Sequence, residues 1–206
     1  AMAVAFKIAQ TECFRDLQRR IKENAQYLAQ ALEDQGLRLA YGGTDTHLLV
    51  LDLKSIKTTN GRPLYGEMAV RLLDLIGIVA NKNTIPGDEV TALGTGVRLG
   101  TPWLTQRGMS KAEMEKIAEI IQRALTNIQP YTYIGLRGEL PRGKIEQEVL
   151  EELKCEVATL VARTKAEIVP KGRGYPHYCI ANRSNDFSRY YGRGLLYIGG
   201  WRAQSF

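Results

Sequence analysis

The chain has 206 residues, 44% hydrophobic and 24% charged, with a formal net charge of +6. This composition argues against a disordered or collagen-like chain, and no apolar run reaches the ~18 residues of a membrane-spanning helix. Cys13, Cys155 and Cys179 are odd in number and far apart, which argues against a disulfide framework or metal-ligand pairs.

The first residues, Ala1 to Lys7, lack the basic start and long apolar stretch of a secretory signal, and they read as the middle of a helix, as in a cut chain. A cytoplasmic setting is expected. Residues 1–35 read as helix, because Phe14, Leu17, Ile21, Ala25, Leu28 and Leu32 recur at three- and four-residue steps. The stripe falters at Gln10-Thr11-Glu12, where a break is expected, and Gly36 ends the helix. Leu37 to Tyr41 reads as a strand, and Gly42 to Asp45 as a turn. His47 to Leu53 reads as a mostly apolar strand, central in its sheet. Tyr65 to Leu75 is helical, with Met68, Ala69, Leu72 and Leu73 inward. A short strand at Ile78 to Ala80 leads into a polar loop over Asn81 to Asp88.

Gly96 to Gly100 is another short strand. Ser110-Lys111-Ala112-Glu113 is a capping box that opens a helix, with Met114, Ile117, Ile121, Ala124 and Leu125 inward and Pro130 as its stop. Residues 144–168 read as a second long helix with Ile145, Val149, Leu153, Val157, Leu160 and Val161 on one side. Strands and helices mix without strict alternation. The expected fold is therefore a small α+β domain, a mostly antiparallel sheet with helices on one face. Three parts are expected: a linking helix over 1–35, a small domain over 36–168 and a basic, aromatic extension over 169–206.

That extension carries Lys171, Arg173, Arg183, Arg189, Arg193 and Arg202 against Asp186 alone, interleaved with aromatic rings. Such a tail suits either RNA, through stacking and phosphate contacts, or packing on a partner subunit. The net positive charge of the whole chain also suits carboxylates, phosphates or polyglutamates.

Three segments carry chemistry. In Gly94 to Pro102, Arg98 sits on a short strand among small residues. A guanidinium there can clamp a carboxylate through two parallel hydrogen bonds, or it can pair with a local Asp or Glu. In Asn81 to Pro86, two amides flank Lys82. They suit a heterocycle with alternating donors and acceptors, or a turn in which they satisfy nearby backbone. In Gly42 to His47, the histidine is expected to be buried and hydrogen-bonded rather than catalytic. His177 has no partner pattern.

Taken in order, four stretches resemble the serine (glycine) hydroxymethyltransferase family: AMAVAFKIA at Ala1 to Ala9, GGTDTHLLVLDL at Gly42 to Leu53, GIVANKNTIPGD at Gly77 to Asp88, and TGVRLGTPWLTQRG at Thr95 to Gly108. The resemblance covers residues 1–128 well, 144–168 loosely and the tail from 170 not at all. It implies the C-terminal portion of a fold-type I pyridoxal-phosphate-dependent α/β enzyme that interconverts serine plus tetrahydrofolate and glycine plus 5,10-methylenetetrahydrofolate. By the same resemblance, Arg98 binds the substrate carboxylate and Asn83 the pterin ring of the folate. Asp45 and His47 have structural roles, and Gly100 to Gly108, with Trp103 and Gln106, closes that region. The cofactor is pyridoxal 5'-phosphate, but the family's TTTHKTLRGPRGG-like stretch with the attachment lysine is not found in this sequence. A homo-oligomer, or complementation by an upstream catalytic segment, is implied. The fragment alone is expected to be inactive, with no catalytic residue of its own.

Overall fold

The computed structural model describes residues 2–58, 60–135, 138–164 and 196–197. Helix α1 (Met2–Ala9) is followed by α2 (Glu12–Asp34). The break falls where the apolar stripe falters. Thr11 caps α2, its hydroxyl accepting from the Phe14 N–H at 3.3 Å. Helix α1 has no buried residue, and Met2, Val4 and Phe6 are exposed. Helix α2 buries Ile21, Ala25, Leu28 and Leu32. It closes at Gly36, whose φ of 80° is a conformation that glycine adopts without penalty.

Strands β1 (Arg38–Leu39), β2 (Leu48–Asp52), β4 (Asn81–Asn83) and β5 (Gly96–Gly100) form an antiparallel sheet in the order β1-β2-β5-β4. Strand β2 lies inside it, as its apolar run implies. Strand β1 is shorter than the stretch expected over Leu37 to Tyr41. Strand β3 (Ile78–Val79) lies outside this sheet and pairs in parallel with β8 (Leu196–Tyr197). The loop expected from Asn81 begins instead as β4. Asn-Lys-Asn is a poor strand sequence by propensity, but at a sheet edge the backbone pairing of Asn81, Lys82 and Asn83 with Arg98, Val97 and Gly96 overrides it.

Helices cover one face of the sheet. Leu49, Leu51, Val97 and Leu99 point into a core shared with α2, α3 (Gly66–Leu75) and α5 (Lys111–Thr126). Each fully buried leucine or isoleucine there contributes about 1.5–3 kcal/mol. Helix α3 starts hard against β5: the Gly66 N–H donates to the Gly94 carbonyl at 2.8 Å. A Cβ on Gly66 would fall 2.8 Å from the Gly96 carbonyl oxygen, so no side chain fits. Helix α5 has the expected capping box, with Glu113 Oε2 accepting from the Ser110 N–H at 2.7 Å.

Helix α5 ends at Thr126, before Pro130. That proline instead belongs to β6 (Gln129–Gly135), which pairs with β7 (Gly138–Lys144) as a hairpin. Helix α6 (Gln147–Arg163) buries Leu153, Val157 and Leu160. Glu156 on α6 meets Arg123 and Lys116 of α5, the latter at 2.8 Å. The tail from 169 lies outside the described residues apart from β8, and so does His177. Among the described residues, no helix is long and apolar enough to cross a membrane.

Candidate functional site

Alternation along a strand turns every second side chain to the same face. Opposite Leu49, Leu51, Val97 and Leu99, the register therefore groups Val50, Arg98, Asn81 and Asn83. Arg98 stands across from Val50 on β2 and from Asn81 on β4, and Asn83 lies two residues further along β4. All four are half-buried. Arg98 and Asn83 are thus brought onto one face, opposite the helical layer.

Arg98 Nη2 donates to Asn81 Oδ1 at 3.2 Å. Arg98 Nε is buried with no acceptor, and among the described residues no Asp or Glu pairs with this arginine. A buried donor left unsatisfied costs about 1–3 kcal/mol, which an incoming anion can relieve. The orphaned Nε is not by itself a mark of a binding site, because Arg107 shares it. The two differ in surroundings. Arg107 Nη2 donates to the carbonyls of Val161 and Thr164, at 3.1 and 3.2 Å, and so closes the end of α6. Burial pulls its pKa below the usual arginine value. Arg98 has an amide for its neighbour, and among the described residues no backbone carbonyl takes up its guanidinium.

The side chain of Asn83 makes no hydrogen bond among the described residues. Its carbonyl is packed against β5, where an ideal Cβ on Gly96 would come within 2.8 Å of it. Lys82, between the two amides, points to the opposite face. It meets Glu67 of α3 at 3.7 Å and donates to the Ala92 carbonyl at 3.2 Å. The pKa of Glu67 is lowered, first by the hydrogen bond from Arg71 and, against opposing burial, also by Lys82. The face opposite the helical layer therefore holds a cation and two amides, and the lysine nearest in sequence is committed elsewhere.

The loop after β4 is held by Asp88, whose side chain is 4% exposed. Burial opposes its ionisation. The Thr95 hydroxyl at 2.6 Å, the Thr95 and Ile85 N–H groups at 2.9 Å, and the Lys54 ammonium at 3.3 Å outweigh it. The carboxyl is held well below the usual carboxylate range. Asp88 thus anchors the start of the strand that carries Arg98.

The histidine expectation needs correction. His47 is exposed, and so is Asp45. Strand β2 begins one residue after His47, and among the described residues only its carbonyl is engaged, by the Thr101 N–H at 3.1 Å. The turn is held by Thr44 and Thr46: Thr44 donates to the Leu48 carbonyl, and the Thr46 N–H donates to Thr44 Oγ1 at 3.1 Å. An open groove of about 620 Å³ lies between α2 and this turn, and Val50 is the one residue of the Arg98 group that lines it. Asn81 was visible as one of two amides, but its bond to Arg98 follows only from the pairing of β4. The N-x-N spacing, which puts both amides on one face of a strand, is the signal for it.

A family model for serine hydroxymethyltransferase matches residues 1–121. This chain belongs to the serine hydroxymethyltransferase family. It is 41% identical over 164 residues to the serine hydroxymethyltransferase of Chlamydia trachomatis serovar L2, which covers 79% of this chain and 32% of that one. The serine hydroxymethyltransferases of Chlamydia muridarum and Chlamydia abortus are 41% and 40% identical over the same shares. The chain spans about a third of the length of these curated relatives.

Proposed function

We propose that this chain is the substrate-carboxylate and folate part of a serine hydroxymethyltransferase that interconverts serine plus tetrahydrofolate and glycine plus 5,10-methylenetetrahydrofolate. The reading rests on family membership. The observation that carries it is a half-buried Arg98 with no acidic partner among the described residues, on the sheet face opposite the helical layer.

Arg98 takes the amino acid's carboxylate in a two-point grip and holds the molecule in one orientation, a contribution of positioning. Asn83, on the same face, donates to and accepts from the pterin ring through its uncommitted amide. Val50 beside Arg98 keeps water from that flank. Pyridoxal 5'-phosphate, when bound in the whole enzyme, supplies the electron sink for the transfer. On the Arg98 face, the described residues suit an acid group and a polar ring. Lys82 is turned toward Glu67, so these residues do not supply the cofactor's attachment, which we assign to the remaining two-thirds of the family's length. In this reading residues 1–35 link to that larger part, residues 36–168 form the small domain, and residues 169–206 extend it. The working enzyme is a cytoplasmic homo-oligomer.

The test is Arg98→Lys in a full-length enzyme carrying this segment. Lysine keeps the charge and loses the fork, so the serine KM should rise at least ~10-fold. Unchanged steady-state kinetics would remove the assignment.

A further inference from the structure

Arg98 is tied down by an amide rather than by an acid. The register sets Asn81 directly across from it, and Asn81 Oδ1 accepts from Nη2 at 3.2 Å. Without a tether, the long arginine side chain could rotate and present any edge of its flat fork. A carboxylate neighbour would stop that rotation, but it would also compete with a ligand's acid group for the same N–H donors. An amide oxygen holds the guanidinium by one donor and leaves its full positive charge for an anion. The tether is itself braced. Strand β4 is paired along its length with β5, and Lys82 on the reverse side reaches Glu67 and the Ala92 carbonyl.

Building on the carboxylate role given to Arg98, we propose that Asn81 is a positioning residue, which orients the Arg98 guanidinium for the amino acid's carboxylate without touching the substrate. The division of labour within Asn81-Lys82-Asn83 then follows from strand alternation. The first amide serves the arginine, the lysine secures the strand from behind, and the second amide is left for a ligand.

A double-mutant cycle tests this in a full-length family enzyme carrying the segment, read as serine KM, kcat and thermal midpoint. Asn81→Ala should raise the serine KM about tenfold, the scale of one lost hydrogen bond to a charged group. The loss should fall on KM rather than kcat, the mark of binding lost equally in ground and transition states. Asn81→Ser, which keeps a shorter acceptor, should fall between the parent and Asn81→Ala. In an Arg98→Ala background, removing Asn81 should change KM less than about twofold, because the two residues act as one unit. Equal KM changes in both backgrounds would overturn the positioning role. So would a lowered thermal midpoint with no change in KM. If Arg98→Ala alone leaves the serine KM unchanged, the carboxylate reading itself falls, and the single variants tell the two failures apart.

Discussion

The two faces of the four-stranded sheet differ in what completes them. On the helical face, Leu99 and Val97 are fully enclosed by apolar neighbours from α2, α3 and α5, and nothing further is required. On the other face, one residue along the same strand, Arg98 is half-buried with an orphaned Nε, and across from it on β4 stands an amide, Asn81, rather than an acid. The first face is settled by the hydrophobic effect within the chain. The second is left partly unsatisfied. The lesson is that neighbouring residues on one short strand divide into those enclosed by the apolar core and those whose polar groups the described residues leave partly unsatisfied.

The sharpest way to break that division is to truncate the two neighbours in turn. Leu99→Ala should lower unfolding free energy by about 3 kcal/mol through lost burial and a cavity. Arg98→Ala should cost less than about 1 kcal/mol, because it also removes an unsatisfied donor. Urea denaturation measures both, and equal losses would make Arg98 a structural residue.

A smaller effect is expected at Gly96, which is buried on the same face as Arg98. A Cβ there would lie 2.6 Å from Ile85 Cγ2 and 2.8 Å from the Asn83 carbonyl oxygen. Gly96→Ala should therefore destabilise by about 2 kcal/mol through overpacking, and it should push β4 away from β5. Thermal unfolding reads the first consequence. A weaker response of folate affinity than of stability would argue against Asn83 as a ligand contact.

The smallest effect concerns Asp88. Its folded pKa lies below the ordinary value, so its stabilising contribution is complete above about pH 4 and is lost as pH falls through the lower folded value. Asp88→Asn should cost about 1–2 kcal/mol at neutral pH. The gap between parent and variant should close in strong acid. Denaturant titrations stepped from pH 7 down into strong acid decide it, and a gap that does not narrow as pH falls below about 4 would show that shape, not charge, holds the loop.

Much of the fold was legible because its causes are local. The apolar stripes of α2, α3 and α5, the break at Thr11 and the Ser110 capping box each follow from a few adjacent residues. Strand β2 announced itself as an apolar run. Strand β4 did not, because polar Asn-Lys-Asn becomes a strand only when Val97 and its neighbours supply a paired edge. The hairpin of β6 and β7 was hidden by Pro130, which reads as a helix stop yet takes a strand position opposite Gly143. Tyr131, Thr132, Tyr133 and Ile134 are good strand formers and were the available clue. At the site, Arg98 stood out among small residues, and the order of four motifs supplied its context. The pairing of Asn81 with Arg98 spans 17 positions and depends on register, so the N-x-N spacing hints at a shared face but not at the partner. The burial expected for His47 failed because β2 starts one residue too late to enclose it.

The alternation within β4 also constrains how this gene segment can vary over generations. One codon inserted between Val79 and Asn81 would swap the faces, sending an ammonium toward the arginine and both amides into the helical layer. Two inserted codons would restore the original facing. Lineages should therefore tolerate length changes in the loop after Asn83 far more readily than in the three residues that precede it.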